Sequence, residues 1–495
     1  MDDLAPAGLP DEAERDRPRS DERTVAGHAI LYMAPMVVSS LLPIITLPIF
    51  TRVLSREEYG LWGIATAFGA LVSGAAGLGL QVGFDRNYFA APDDRARARL
   101  LYSVVLFALV AQLAGLALVL VFGPLVALRL MHSPRQSHLL VLAFVLSALG
   151  SLKAFFLTTL RNEGRAREYV TFSIDELFLG AALSLTAVLW LRVGVVGLLV
   201  GPLLASAIVL AAMAARFLRQ TPFGLDGEQL RDTLRVSLPL APRALIGAVG
   251  NQLDRLVLGA VGSLAEVGVY TIAQRMAQFV FASMTALQNV YQPRVYRMLF
   301  ANAPPDTIGR YLLPFAYGSA AVAFGVIMFS SEIVRIVAPP EYAAAASVLA
   351  ILAVYYGLMF FGKQPQLVFA RRTRIVSALS VLMVALNAGF VYVGAKTGGT
   401  MGIAFGLLSA GIITGGVGLF VAWRYAPISY PLHATIMIFG ALPLALAVVL
   451  SLDALHASTP VGLAVKIFAV AVFAAMGWRS GMLGTLFRAR SALAK

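Results

Sequence analysis

From residue 27 to residue 478 the chain is a succession of apolar stretches, each about twenty residues long, separated by short loops of charged residues, Pro or Gly. That length is what an α-helix needs to cross the hydrocarbon of a bilayer. In lipid no backbone group can turn to water for a hydrogen bond, so segments of this kind are forced into helices. The stretches fall at 27–51, 59–83, 100–123, 138–160, 172–191, 194–215, 236–253, 267–291, 311–331, 343–362, 375–394, 400–423, 431–451 and 460–478. The pattern predicts an all-α integral membrane protein with about 14 transmembrane helices. Composition agrees, because only 13% of the residues are charged where a soluble domain carries about 25%. Too few residues remain for a sizeable soluble domain, and the function is expected inside the membrane.

The net charge of +13 would suggest nucleic acid in a soluble protein, so its distribution matters. With the N-terminus placed inside, 27 Lys and Arg lie in inside segments, 8 in outside loops and four within the stretches (Lys153, Arg243, Arg275, Lys466). That asymmetry assigns most of the charge to topology, predicts both termini on the cytoplasmic side and leaves no reason to invoke nucleic acid. Residues 1–25, rich in Pro, acids and Arg, are expected to form a disordered cytoplasmic tail, and no signal-like apolar run precedes His28. The tail holds eight of the 26 acidic residues, so the membrane body is more basic than the total suggests. With no Cys and five scattered His, no disulfide framework, thiolate centre or metal cluster is expected, and no cofactor.

The chain also repeats. Pro35, Arg52, Glu58, Gly60, Arg86 and Tyr88 have counterparts in Pro239, Arg255, Glu266, Gly268, Arg294 and Tyr296, with a constant offset of 208 from Glu58 onward. Gly194, Gly197 and Gly201 match Gly399, Gly402 and Gly406 at an offset of 205. Segments six spans apart share one orientation, so the halves are parallel repeats about an axis along the membrane normal, a recurring transporter plan. The expected units are a tail at 1–25, a six-helix bundle at 26–220, a second at 221–425, and two additional helices with a cytoplasmic C-terminus at 426–495.

The stretches LPIFTRVLSREEYGLW (47–62), SLPLAPRALIGAVGNQLDRLVLGAVGSLAEVGVYTIAQR (237–275) and NAGFVYVGAKTGGTMGIAFG (387–406) resemble the polysaccharide, or lipid-linked oligosaccharide, flippases of the multidrug/oligosaccharidyl-lipid/polysaccharide (MOP) exporter superfamily. The resemblance runs from about Ala26 to the C-terminus and rests on Pro, Gly and aromatic positions. It implies two six-helix bundles around a central cavity that opens alternately to each side, plus two extra helices. It further implies a bacterial inner-membrane protein that carries polyprenyl-pyrophosphate-linked glycan from the cytoplasmic to the outer leaflet, for O-antigen, capsule or exopolysaccharide assembly. Membrane lipid is then a partner, as are polysaccharide polymerase or co-polymerase proteins.

Such a cavity must hold a pyrophosphate and sugars while the tail stays in lipid. An ionised side chain at mid-membrane costs about 2.5–3.5 kcal/mol on insertion, a cost that has a purpose if an anion visits it. Arg243 lies eight residues into the seventh stretch, or roughly 12 Å deep at ~1.5 Å per residue. Arg275 lies about as deep in the eighth, with no acid at similar depth on either helix. These two lead as pyrophosphate contacts. The other account makes each a structural arginine bonded to carbonyls of a broken helix or reaching the interface, and the Pro239 and Pro242 pair fits both. Gln274 and Gln278, with Tyr270, Gln288 and Tyr291, put polar groups through the eighth stretch at helical spacing and mark it as cavity-lining. Asn251 and Gln252 are candidates for sugar hydrogen bonds or ordinary interhelical contacts.

The remaining candidates lie nearer the membrane faces. Arg86 and Arg294 are each followed two residues later by Tyr and fit either a cationic entrance or positive-inside anchors. Lys363 is a candidate for the cytoplasmic mouth or a loop anchor, and Lys153 for the cavity or for snorkelling. Arg52 and Arg255, with Glu58, Asp254 and Glu266 nearby, fit ion pairs across an outer gate; plain surface positions are the alternative, since exposed pairs contribute only ~0–1 kcal/mol. Asp175 and Glu176 are adjacent acids at the inner end of the fifth stretch. They fit ion coupling, or acids favoured by the helix dipole near Ser173.

The rival reading is an ion-coupled multidrug or cation exporter of the same superfamily. Cationic drugs call for buried carboxylates, and the spans carry more bases than acids. A major-facilitator transporter is a poorer fit, because Asp85-Arg86 is followed by NYFAAP and not by a Gly and basic run. An enzyme is not expected: the longest interior loop offers only Asp226, Glu228 and Asp232, and no ATP-binding loop is present.

Overall fold

A computed structural model describes residues 20–362, 365–370, 372–455, 459–480 and 482. Secondary structure among the described residues is helical, with no strand, and each of the 14 predicted stretches falls on helix. Among the described residues ten helices are long and apolar enough to cross a membrane, which makes this a multi-pass membrane protein. The first six stretches are α1 (Ser20–Val53), α2 with α3 (Arg56–Ala76, Leu80–Ala90), α4 (Asp94–Leu130), α5 (Ser137–Asn162), α6 (Ala166–Leu185) and α7 (Val195–Gln220). A short amphipathic helix, α8 (Gly227–Ser237), leads into α9 (Ala241–Val261) and α10 (Leu264–Phe300). There follow α11 (Pro305–Met328), α12 (Ser330–Val337), α13 (Ala345–Leu358), the short α14 (Pro365–Phe369), α15 (Thr373–Tyr425), α16 (Leu432–Ala454) and α17 (Thr459–Arg479).

Several boundaries move, each for a local reason. The second stretch breaks where Leu78 and Gly79 take positive φ values of 49° and 67°, separating α2 from α3. The eleventh and twelfth stretches, which together make up α15, are two helices separated by non-helical backbone at Gly398 and Gly399, where the chain turns back so that Gly394 packs on the backbone of Gly402. Before α9 the chain makes a 3-10 turn at Leu238–Leu240, and Pro242 occupies the first turn of the new helix, where its missing N–H costs nothing. Arg243, expected eight residues inside a continuous span, is therefore the third residue of α9.

The repeat is built into backbone contacts. Helices α2 and α10 start from the same capping box, Ser55 with Glu58 and Ser263 with Glu266, in which the Ser accepts from the Glu N–H and the Glu accepts from the Ser N–H. Each Glu then closes over a glycine that precedes its half's sixth span. A Cβ on Gly194 (φ 59°) would lie 2.6 Å from Glu58 Oε1, and one on Gly399 (φ 54°) 2.6 Å from Glu266 Oε1. Only glycine adopts that backbone at no steric cost. The halves meet symmetrically as well: a Cβ on Gly60 would overlap the Leu264 carbonyl oxygen, and a Cβ on Gly268 that of Arg56. Leu264 and Arg56 are 208 apart, as are the glycines, so α2 and α10 cross backbone to backbone about a pseudo-twofold axis. This crossing lies at the ends that the charge count places outside.

The last helices dock by aromatic stacking and one ion pair. Phe473 of α17 stacks on Tyr317 and Phe324 of α11 at centroid distances of 5.1 and 4.5 Å, and Tyr317 Oη donates to the Phe473 carbonyl at 3.0 Å. Lys466, buried within α17, donates to both oxygens of Glu332 on α12 at 2.8 and 2.9 Å.

Candidate functional site

Helices α9, α10, α13 and α15 enclose a cavity of about 710 Å³. Arg243, Asn251, Gln252, Asp254 and Arg255 of α9 and Gln274 and Gln278 of α10 all line it, so one space gathers seven of the residues selected from the sequence. They reach it because the polar positions of α9 and α10 recur at helical spacing and so share a face. Asp254 is the buried acid of the group. It accepts from Tyr270 Oη and Gln274 Nε2, both at 2.7 Å, and from the Arg255 N–H at 2.8 Å. Three donors satisfy the carboxylate without a cationic side chain. Arg255 donates to Gln252 Oε1, and its Nε is buried with no partner among the described residues, like Asn387 Oδ1 on the facing wall. Buried polar atoms left open in this way are rare in native proteins and call for a partner such as water or an ion, or for a functional role.

Arg275 belongs to two adjoining spaces. One, about 520 Å³, lies between α1 and α10 with α11 and α12 behind it; Ser40 and Gln278 line both this space and the larger cavity. The other, about 260 Å³, is bounded by Tyr59, Trp62 and Glu176. The guanidinium lies 3.9 Å from the centroid of the Trp62 ring. A cation over an aromatic face is held in place and not neutralised. Among the described residues Arg275 makes no salt bridge.

The peripheral candidates go elsewhere. Arg86 donates to Asn87 Oδ1 at 2.8 Å and pairs with Asp232 of α8 at 3.4 Å. Arg294 lies exposed over Tyr311 at 4.9 Å, and neither lines the cavities just described. Arg52 donates to the carbonyls of Pro48 (2.7 Å) and Ile336 (3.5 Å), tying α1 to α12. Its neighbouring acid Glu58 is engaged in the capping box, as is Glu266 near Arg255, so the expected gate partners serve as helix caps. Asp175 is exposed. Glu176 pairs instead with Lys153 of α5, which also donates to Ser206 of α7 at 3.2 Å, so this lysine is buried in a network and does not snorkel. Lys363 lies outside the described residues.

Trp62, Tyr355, Tyr356 and Asn387 are not singled out by the sequence, and the last three line the large cavity. Trp62 carried a signal, since it is the repeat counterpart of Tyr270 at the offset of 208.

The family described as "Polysaccharide biosynthesis protein" matches residues 25–297, more than half of the chain. The protein belongs to this family. Among solved structures, "Lipid II flippase MurJ, inward closed conformation" superposes with a TM-score of 0.70 at 14% identity, covering 91% of this chain and 99% of that one. An inward-facing MATE family multidrug resistance transporter of the MOP superfamily gives 0.61 at 20% identity over 80% of this chain and 97% of that one. An outward-facing MATE structure gives 0.51 at 19% identity over 82% and 96%. A search of curated proteins finds no significant sequence match. At these identities the superpositions establish the fold alone, that of MOP transporters, for this polysaccharide biosynthesis family member. Within that fold its cavities present Arg243, Arg255 and Arg275 against Asp254, while Glu176 is taken up by Lys153.

Proposed function

We propose that the protein flips polyprenyl-pyrophosphate-linked oligosaccharide from the cytoplasmic to the outer leaflet of a bacterial inner membrane, for cell-surface polysaccharide assembly. The observation that carries this reading is the unneutralised Arg275 at the junction of two cavities, with Arg243 and Arg255 in the adjoining space. Arginines without carboxylate partners at membrane depth suit a pyrophosphate, which accepts planar, charge-assisted hydrogen bonds. Asn251, Gln252, Gln274 and Gln278 supply neutral donors and acceptors beside them. The space between α1 and α10 is mostly apolar and suits the first units of a polyprenyl chain.

The units at 26–220 and 221–425 act as the two halves of an alternating-access transporter, with both termini cytoplasmic. The glycine crossing of α2 and α10 forms the outer closure, and Arg52 strengthens it through Ile336. Arg86 and Arg294 guide anionic headgroups electrostatically at the cytoplasmic face. Ion coupling through Glu176 requires its pair with Lys153 to break. The cation-exporter alternative is disfavoured by the same charge balance.

Replacing Arg275 by Ala in a strain that relies on this protein is expected to abolish surface glycan while leaving folded protein in the membrane. Wild-type surface glycan with the Ala variant would contradict the pyrophosphate role.

A further inference from the structure

The first half contains a second large cavity, about 770 Å³, between α2, α3 and α5, with Ala244 of α9 closing one side. Two of its walls, α2 and α5, are the repeat counterparts of the α10 and α13 walls of the charged cavity. Ala70, Ser73 and Gly74 of α2 line it, and at the offset of 208 these correspond to Gln278, Phe281 and Ala282, which line the other. At the offset of 205, Ser151 and Ala154 of α5 correspond to Tyr356 and Met359 in the same way. At each of these positions the first half carries the smaller residue. The two spaces flank the first turn of α9, where Arg243 faces one and Ala244 the other.

The chemistry of the lining differs in kind. Its only charged members, Asp85 and Arg161, pair with each other at 3.4 Å, so the lining carries no net charge. The rest of its polar groups are neutral. Gln81 Nε2 donates to Thr158 Oγ1 at 2.6 Å, leaving the Gln81 carbonyl open. Ser73 is 3% exposed, and neither its hydroxyl nor that of Ser151 has a hydrogen-bond partner among the described residues. Neutral hydroxyls and amides around a space of this size, within the roughly 300–1,000 Å³ of small-ligand cavities, match the alternating donors and acceptors of a polyol. An apolar chain would leave these groups unpaired, at about 1–3 kcal/mol each.

We infer that this cavity is a subsite for uncharged sugar residues, separate from the arginine-lined space that takes the pyrophosphate. The inference rests on the proposed function and adds to it a division of labour: one half reads charge and the other reads hydroxyls. A lipid-linked glycan would lie across the first turn of α9, with its phosphates beside Arg243 and its sugars beside Ser151.

The chain contains no Cys, so single cysteines report cleanly. Ser151→Cys and Ser147→Cys place thiols in the neutral cavity, and Ser380→Cys places one in the charged cavity. The purified full-length variants are labelled with a small maleimide in the presence of polyprenyl pyrophosphate, or of the same carrier bearing a neutral disaccharide. At about ten times Kd, occupancy alone slows labelling about tenfold. The expected result is that both ligands protect Ser380→Cys, whereas only the sugar-bearing ligand protects Ser151→Cys and Ser147→Cys. Protection of Ser380→Cys by both ligands without sugar-dependent protection of the other two overturns the subsite and leaves the proposed function standing. The subsite is equally overturned if Ser151→Cys and Ser147→Cys are inaccessible to the maleimide without ligand. Failure of both ligands to protect Ser380→Cys overturns the pyrophosphate reading and the subsite with it.

Discussion

The two halves of this protein share a frame and differ in what they hold in it. Ser55 and Glu58 match Ser263 and Glu266, Gly194 matches Gly399, and Gly60 and Gly268 make reciprocal contacts across the pseudo-twofold axis. On the next turns of the same helices the likeness ends: α10 carries Gln274, Arg275 and Gln278 where α2 carries Thr66, Ala67 and Ala70. Among the described residues the first half keeps its one buried base, Lys153, satisfied by Glu176 and Ser206, whereas the second half leaves Arg275 facing open space against Trp62. Backbone geometry tolerates little change and is therefore repeated, while side chains that face a cavity are free to diverge toward a substrate that is itself asymmetric.

The comparison can be broken most forcefully at Lys153. Lys153→Met leaves Glu176 charged and unpaired, which should destabilise the protein by about 3–5 kcal/mol, whereas Lys153→Met with Glu176→Gln should recover most of the loss. Thermal unfolding in detergent distinguishes the two, and equal midpoints would show that the pair does not act as a unit. Next in size is the crossing of α2 and α10. Gly60→Ala and Gly268→Ala each drive a methyl against a carbonyl, with an expected cost of about 1–3 kcal/mol from overpacking. The two values should agree, and a large effect at one glycine beside none at the other would contradict the symmetric contact. The smallest effect belongs to the caps: Glu58→Ala and Glu266→Ala should each cost about 1 kcal/mol, again in equal measure. A marked difference would mean that one carboxylate has work beyond closing its capping box.

The helices are legible in the apolar periodicity alone, because a bilayer leaves the backbone no alternative. The repeat is legible too, since it is carried by Gly, Pro and capping Glu, residues whose backbone roles survive divergence. Short amphipathic helices are not: α8 and α12 are too brief and too polar to register as spans, and the split before α9 places Arg243 on a first turn. Pairings between helices also escape a linear reading. Lys153 and Glu176 are 23 residues apart on separate helices, as Lys466 and Glu332 are 134 apart, and only packing brings such groups together. The gathering of Arg243, Asn251, Asp254, Arg255, Gln274 and Gln278 around one space follows from polar residues at helical spacing in otherwise apolar segments. The neutral cavity of the first half is invisible in the sequence, because its lining is small residues that individually suggest close packing.

The most direct measurement is transport by the purified protein in sealed liposomes. Polyprenyl pyrophosphate bearing a labelled disaccharide is placed in both leaflets, and the fraction accessible to an added glycosidase is followed with time. Wild-type protein should bring the inner pool to the outer face, and Arg275→Ala, reconstituted to the same level, should leave that pool protected. An inner pool that stays protected with wild-type protein, or that empties equally fast with Arg275→Ala, would contradict a flippase that grips its lipid by the pyrophosphate.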